Sequence, residues 1–159
     1  ASFPTVSDAA SANEWVAPPA AAFDIAASHC FEGDTPDALA DGAEPKSSDD
    51  QAMPRFTWWP HKGTKEWVEY AFTKPRRVSE VSVYWFDDTG HGQCRVPQSW
   101  TLLRRDGDRW APVRAAGPFG TARDAFQRVP FEPVETTGLR LEVRLQPDVS
   151  GGILEWKMK

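Results

Sequence analysis

From Gly138 to Leu145 the chain reads Gly-Leu-Arg-Leu-Glu-Val-Arg-Leu, with apolar and charged residues alternating without a break. A period of two is the pattern of a strand with one face in a core and the other in water. Leu139, Leu141, Val143 and Leu145 belong to the core face, and Arg140, Glu142 and Arg144 to the other. Other segments follow suit. Residues 66–72 put Val68, Tyr70 and Phe72 on one side. Residues 78–86, rich in β-branched and aromatic side chains, do the same for Val81, Val83 and Trp85. Residues 100–105 and 109–113 flank Asp106-Gly-Asp108 and predict a hairpin. Residues 24–31, 125–134 and 153–158 complete about eight antiparallel strands. No window supports a long helix; Thr35 ahead of Pro36 is placed to cap a single helical turn. The expected fold class is an all-β sandwich or barrel, and the 14 prolines belong in its turns and strand edges.

A length of 159 residues suits one domain. Residues 1–22, rich in Ala, Ser and Pro around Ala17-Pro-Pro-Ala20, read as a linker or N-terminal extension, leaving 23–159 as the folded module. The formal net charge of −5 and the lack of a basic face argue against nucleic acid as a partner. No apolar run approaches the roughly 20 residues of a membrane-crossing helix. Cys30 and Cys94 leave two readings open, a disulfide in an oxidising compartment or two free thiols.

If successive strands run antiparallel, alternate connections gather at opposite ends. Residues 58–65, 87–97, 115–123 and 146–152 then share one end, and the short connections 73–77, 106–108 and 135–137 share the other. The first group is long and Gly-rich, the place where a rigid sandwich carries function. Its chemistry suits a sugar, which needs an aromatic surface for its C–H face and fixed polar groups for its hydroxyls. Trp58 or Trp59, together with Phe119, would supply the surface. Asp87, Asp88, His91 and Arg95 would supply the polar groups, with His61 as a further candidate. Adjacent residues of an extended segment point opposite ways, so one of Trp58 and Trp59 belongs to the core. Trp67, Trp85, Trp100, Trp110 and Trp156, all within strands, are expected to be core. Arg95 has a second reading, as a brace between Asp87 and Asp88.

Residues 40–50, Ala-Asp-Gly-Ala-Glu-Pro-Lys-Ser-Ser-Asp-Asp, form an oxygen-rich loop with a Gly-assisted turn. Calcium prefers six to eight such oxygens. Asp41, Ser48 and Asp49 are candidate ligands, and Glu155, a carboxylate set in the apolar run Ile153-Leu-Glu-Trp156, would close the site. Catalysis finds little support. Asp87 and Asp88 are adjacent and point apart, whereas hydrolase carboxylates must flank one bond. Nucleophile-elbow, zinc and phosphate-loop motifs are missing from the sequence.

The order Leu-Ala-Asp-Gly-Ala-Glu-Pro-Lys-Ser-Ser-Asp, then Glu-Trp-Val-Glu-Tyr-Ala-Phe, then Val-Ser-Glu-Val-Ser-Val-Tyr-Trp resembles the galactose-binding-like β-sandwich of the discoidin, or coagulation factor V/VIII type C, superfamily, which includes family 32 carbohydrate-binding modules. More narrowly, Phe56-Thr-Trp-Trp-Pro-His-Lys-Gly-Thr-Lys-Glu-Trp67, Tyr84-Trp-Phe-Asp-Asp-Thr-Gly90, Cys94-Arg-Val-Pro97 and Ser150-Gly-Gly-Ile-Leu-Glu-Trp156 resemble the C-terminal module of bacterial family 127 β-L-arabinofuranosidase-like glycoside hydrolases. The resemblance covers residues 24–159. It implies a jelly-roll sandwich, a structural Ca2+ held by the Asp-Gly loop and Glu155, and a sugar site on apical loops. It also implies a secreted or periplasmic, non-catalytic module, monomeric when isolated, tethering a parent glycoside hydrolase to a plant or microbial glycan. Galactose binders of family 32 use a His, an Arg and an Asn; the only Asn here is Asn13, so the sugar stays open among galactose, arabinose and similar residues. The rival reading is a structural domain packed on the catalytic domain without binding sugar. That reading expects Arg95 and His91 buried or mutually paired, with no open cleft.

Overall fold

The computed structural model describes residues 23–159; the expected linker, 1–22, lies outside them. Seven antiparallel strands form one hydrogen-bonded sheet: β1 (Phe23–Ala27), β2 (Phe56–Thr57), β3 (Lys65–Phe86), β4 (Ser99–Asp106), β5 (Arg109–Pro112), β6 (Gln127–Arg144) and β7 (Gly152–Met158). Their order is β2-β7-β3-β6-β4-β5, with β1 on the free side of β3. A short 3-10 helix, Pro36–Ala40, starts at Thr35, whose side chain accepts a hydrogen bond from the Asp37 amide. Its Leu39 is fully buried beside the sheet.

The two long strands explain how one sheet makes a sandwich. The first half of β3 pairs with β1 and with the end of β6; its second half pairs with β7 and the start of β6. Val68, Tyr70 and Phe72 from the first half share a single core with Val81, Val83 and Trp85 from the second. The sheet therefore folds over on itself. The expected turns at 73–77 and 135–137 prove to be bends within continuous strands, which joins four expected strands into two, while the short β2 was not expected; seven strands therefore stand where about eight were expected. The β3–β6 register shifts between Ala71 and Arg76 and again between Val78 and Glu80. Such irregularities bend and twist a strand without ending it, and Pro75 sits within the first of them.

The alternation of residues 139–145 is realised as expected. Leu139, Leu141, Val143 and Leu145 are buried. In the core Tyr70 stacks on Trp156 with ring centroids 3.9 Å apart and donates its hydroxyl to the Trp156 carbonyl at 2.7 Å. Among the strand tryptophans, Trp85, Trp100 and Trp156 are core. Trp67 and Trp110 are only half-buried, against expectation. Both project to the outer face, where Arg140 lies 4.3 Å over the ring of Trp67 and Arg105 lies 4.9 Å over that of Trp110.

A second departure lies in β7. Two residues apart in a regular strand, Leu154 and Trp156 would share a face. Tyr84 pairs with Glu155 but Trp85 pairs with Ile153, leaving Leu154 as an extra residue. Leu154 consequently joins a second, smaller cluster with Tyr84, Phe86 and Cys94, while Trp156 stays in the main core. Cys30 and Cys94 are free thiols; burial and the neighbouring Asp88 push Cys94 up to about 12.

Candidate functional site

Because β3 bends, the segments before and after it meet at one end of the sandwich. Backbone hydrogen bonds knit them together: Trp58 donates to the Gly151 carbonyl, Gly63 to Val149, Arg95 to Ser150, and Ser150 to Gln93, at 2.9–3.1 Å. The carbonyl of Gly120 accepts from the indoles of both Trp85 (3.1 Å) and Trp100 (2.8 Å), anchoring residues 115–123 at the same end. The four expected loops are thus neighbours. Two more segments join them. β1 stops at Ala27, four residues sooner than expected, so residues 28–34 are free to turn, and the Phe31 amide bonds to the Thr57 carbonyl at 3.0 Å. Residues 48–55 follow, tied by the Asp87 amide to the Ser48 carbonyl at 2.9 Å.

Between these loops opens a cleft of about 200 Å3. Its walls are Phe31, Asp34, Arg55, Trp59, Asp88 and Gln93, over a floor that includes Phe86 and Cys94. Phe31 is the large apolar side chain exposed among the described residues, at 36%. Arg55 lies 4.9 Å over the Phe86 ring, 3.6 Å from Asp34, and donates to Gln51 at 3.0 Å. Asp34 accepts from Thr57. Trp59 has Lys62 5.0 Å from its ring centre, and Lys62 in turn donates to Gln93 at 2.7 Å. The Asp88 carboxylate accepts from the Cys94 amide at 2.8 Å. The cleft thus offers three aromatic side chains and a held set of donors and acceptors, a combination suited to a hydroxylated ring.

Of the eight candidate sugar residues, the structure brings Trp59 and Asp88 into this cleft. Trp58 is fully buried, packed edge-on to Phe56 with centroids 5.1 Å apart; the pair splits as the extended-chain argument required, with Trp58 as the core member. Asp87 is 2% exposed and holds its loop, accepting from Thr89 and from the Val96 amide. Phe119 packs edge-on to Trp100 at 5.0 Å as part of the main core. His61 bonds to Glu66 at 2.8 Å and stacks on His29 at 3.9 Å. Arg95 donates to the Gly92 and Cys94 carbonyls, both at 2.8 Å, so it braces the loop, though through backbone oxygens more closely than through Asp88, 3.7 Å away. His91 is exposed beside Asp49 at 3.8 Å. Phe31, Asp34 and Arg55 escaped the sequence reading, whereas Gln93 belongs to the loop 87–97 that it gathered at this end. The signal for the first three was the long stretch between β1 and β2, whose start, with Phe31, fell inside the overlong first strand.

The candidate calcium ligands separate as well. Asp41 and Glu155 come together. Glu155, 2% exposed, accepts from the Gly42 amide at 3.1 Å through one oxygen, while its other oxygen is buried without a partner. Burial, and then the adjoining Asp41 carboxyl, push Glu155 up to about 9. Ser48 is instead engaged with Asp124 in a reciprocal pair of 2.8 Å bonds, and Asp49 with Ser47. Among the described residues no group of three or more His, Cys, Asp or Glu is placed to hold a metal. The orphaned Glu155 oxygen beside the Asp41 carboxyl nevertheless fits a hard cation that takes oxygen ligands.

No protein-family model matches the sequence, and no curated protein does. Solved structures do. A chain of the Streptococcus pneumoniae beta-galactosidase BgaA matches with a TM-score of 0.71 at 18% identity, over 87% of this chain and 96% of that one. Chitosan-binding module 1 of a chitosanase/glucanase from Paenibacillus sp. IK-5 matches with a TM-score of 0.63 at 14% identity, over 86% and 94%. The family 32 carbohydrate-binding module of C. perfringens NanJ, in complex with galactose, matches with a TM-score of 0.63 at 14% identity, over 86% and 92%. At these identities the likeness is one of fold: the chain is an all-β sandwich similar to those of these carbohydrate-binding modules.

Proposed function

We propose that this chain is a non-catalytic sugar-binding module whose loop-end cleft takes a terminal sugar of a plant or microbial glycan. The observation that carries the reading is the cleft itself, where Trp59 and the exposed Phe31 stand across from Arg55, Asp34, Asp88 and Gln93. The sugar's apolar face lies against an aromatic ring, and its hydroxyls meet Arg55 and the carboxylates. The matched modules, one of them in complex with galactose, support this class of ligand. An open cleft, with Arg95 and His91 not paired to each other among the described residues, favours it over a silent packing domain. A cleft of this size holds little more than one sugar ring, so affinity is modest. In this reading the module is appended to a glycoside hydrolase, is secreted or periplasmic, and uses Ca2+ structurally at Asp41 and Glu155, where the ion takes the place of the proton on Glu155.

The test is calorimetric titration with galactose, arabinose and their oligosaccharides. Arg55→Ala and Trp59→Ala are expected to abolish measurable binding, while His91→Ala and Phe119→Leu leave it within about twofold. Failure of every neutral glycan to bind the intact chain sinks the reading.

A further inference from the structure

A cleft roomier than the one at the loop end lies elsewhere, on the outer face of the half-sheet made by β1, the first half of β3, the end of β6, β4 and β5. It measures about 510 Å3. Strand register builds it in two rows. Lys65, Arg144 and Ser99 stand directly across from one another on β3, β6 and β4. Trp67, Glu142 and Thr101 form the next row.

The charges in these rows are unevenly matched. Arg140 is paired with two carboxylates, bonded to Glu69 at 2.5 Å and to Glu142 at 2.8 Å, and it lies over the Trp67 ring at 4.3 Å. Glu66, at the rim, is occupied by its own donors Ser28, Thr64 and His61. Lys65 and Arg144 make no ion pair among the described residues, and they are exposed cross-strand neighbours of like charge. Like charges placed directly opposite are unfavourable in a sheet. In a chain of net charge −5 an acidic cross-strand partner would be the easy choice. A pair of facing cations with a serine hydroxyl in line and an aromatic wall below is complementary to an anion carried on a hydroxylated ring.

We propose that this sheet face is a second glycan subsite, selective for an acidic sugar whose carboxylate sits between Lys65 and Arg144 while its ring lies along Trp67 and its hydroxyls reach Ser99 and Thr101. The site is independent of the loop-end cleft, and the two would engage different residues of a glycan, adding avidity on a polymer.

The experiment titrates the intact chain with tetragalacturonate and, separately, with neutral galactotetraose, while the indole N–H resonance of Trp67 is followed by NMR. Tetragalacturonate is expected to shift that resonance and galactotetraose to leave it in place. Lys65→Gln and Arg144→Gln should each weaken tetragalacturonate about tenfold, as loss of one charge-assisted hydrogen bond does. Arg144→Lys should lose less, and 0.5 M salt, by screening exposed charges, should weaken the wild type markedly. The Trp67 signal and an unchanged melting temperature show that each variant is folded. Tetragalacturonate affinity unchanged in Lys65→Gln, Arg144→Gln and the double variant overturns the proposal. So does a loss produced by Arg55→Ala instead, which would put the acidic sugar in the loop cleft.

Discussion

The two halves of the folded sheet share a core but differ in what covers their outer faces. Over the second half, Tyr84, Phe86 and Leu154 are buried beneath Met53, Trp59 and Phe126, so this sheet is dry on both sides. Over the first half nothing comparable is laid down among the described residues, and Trp67, Arg140 and Trp110 meet water as a stacked row. The sequence carries the contrast. Residues 66–72 alternate buried and part-exposed, whereas Val83-Tyr-Trp-Phe86 is buried without interruption. Alternation marks a one-sided sheet and a continuous apolar run a two-sided one. What this teaches is where each half leaves a cleft: the covered half among the loops at its end, the bare half on its face.

Each half also holds one buried carboxylate, and the two titrate in opposite directions. Burial alone pushes Glu66 up, but hydrogen bonds from Ser28, Thr64 and His61 together outweigh it and hold the group below its ordinary value of 4.5. Glu155, with one amide donor and a second carboxyl beside it, is pushed up to about 9. Donor count and the sign of the neighbour separate two residues that are both buried.

Three measurements would break or sharpen this comparison. The largest effect is expected from truncating an outer-face residue in each half. Leu154→Ala in the covered half should cost roughly 2–5 kcal/mol by denaturant unfolding, as buried leucines do. Trp67→Ala in the bare half should cost only about 1 kcal/mol, the scale of an exposed cation–π contact. Equal losses would mean that the two faces are covered alike.

Calcium comes next. At a hundredfold excess over Kd it should stabilise the chain by about 2.7 kcal/mol, read as a higher Tm than in chelator. Binding has to displace the Glu155 proton, so apparent affinity should rise as pH climbs toward 9. Glu155→Gln should remove both effects, and a Tm indifferent to chelator would discard the ion.

The smallest effect belongs to Glu66. Its pKa is depressed in the folded chain, so its contribution is present above 4.5 and is lost as pH falls below that value. Glu66→Gln should flatten the acid limb of the stability curve and leave the neutral region shifted by a constant amount. An acid limb identical in both proteins would show that the three hydrogen bonds do not favour the ionised form.

Much of the fold was legible because its information is local. Alternation in 139–145, the Asp-Gly-Asp hairpin and the Thr35 cap each depend on a few neighbouring residues, and each appears where its pattern stands. Counting strand directions even brought four distant loops to one end. The count succeeded for a reason it did not contain: the connections at 73–77 and 135–137 reverse the chain as bends in unbroken strands. Boundaries were weaker. The overlong first strand hid residues 28–31, and with them Phe31, since a strand end is set by where pairing stops on the partner strand.

The amino-acid sequence by itself determined the class of the fold, the core face of nearly every strand and the end of the sandwich where long loops collect, because periodicity and turn chemistry act over a few residues. Tertiary structure alone decided which loop residues face a cleft and which serve as braces. Asp87 and Asp88 are adjacent and chemically alike, yet one is sealed among backbone amides and the other lines the cleft. It alone decided that Trp67 lies on an open face and that Lys65 meets Arg144. Those outcomes depend on register and on what packs over each face, and both are set by segments far away in the chain.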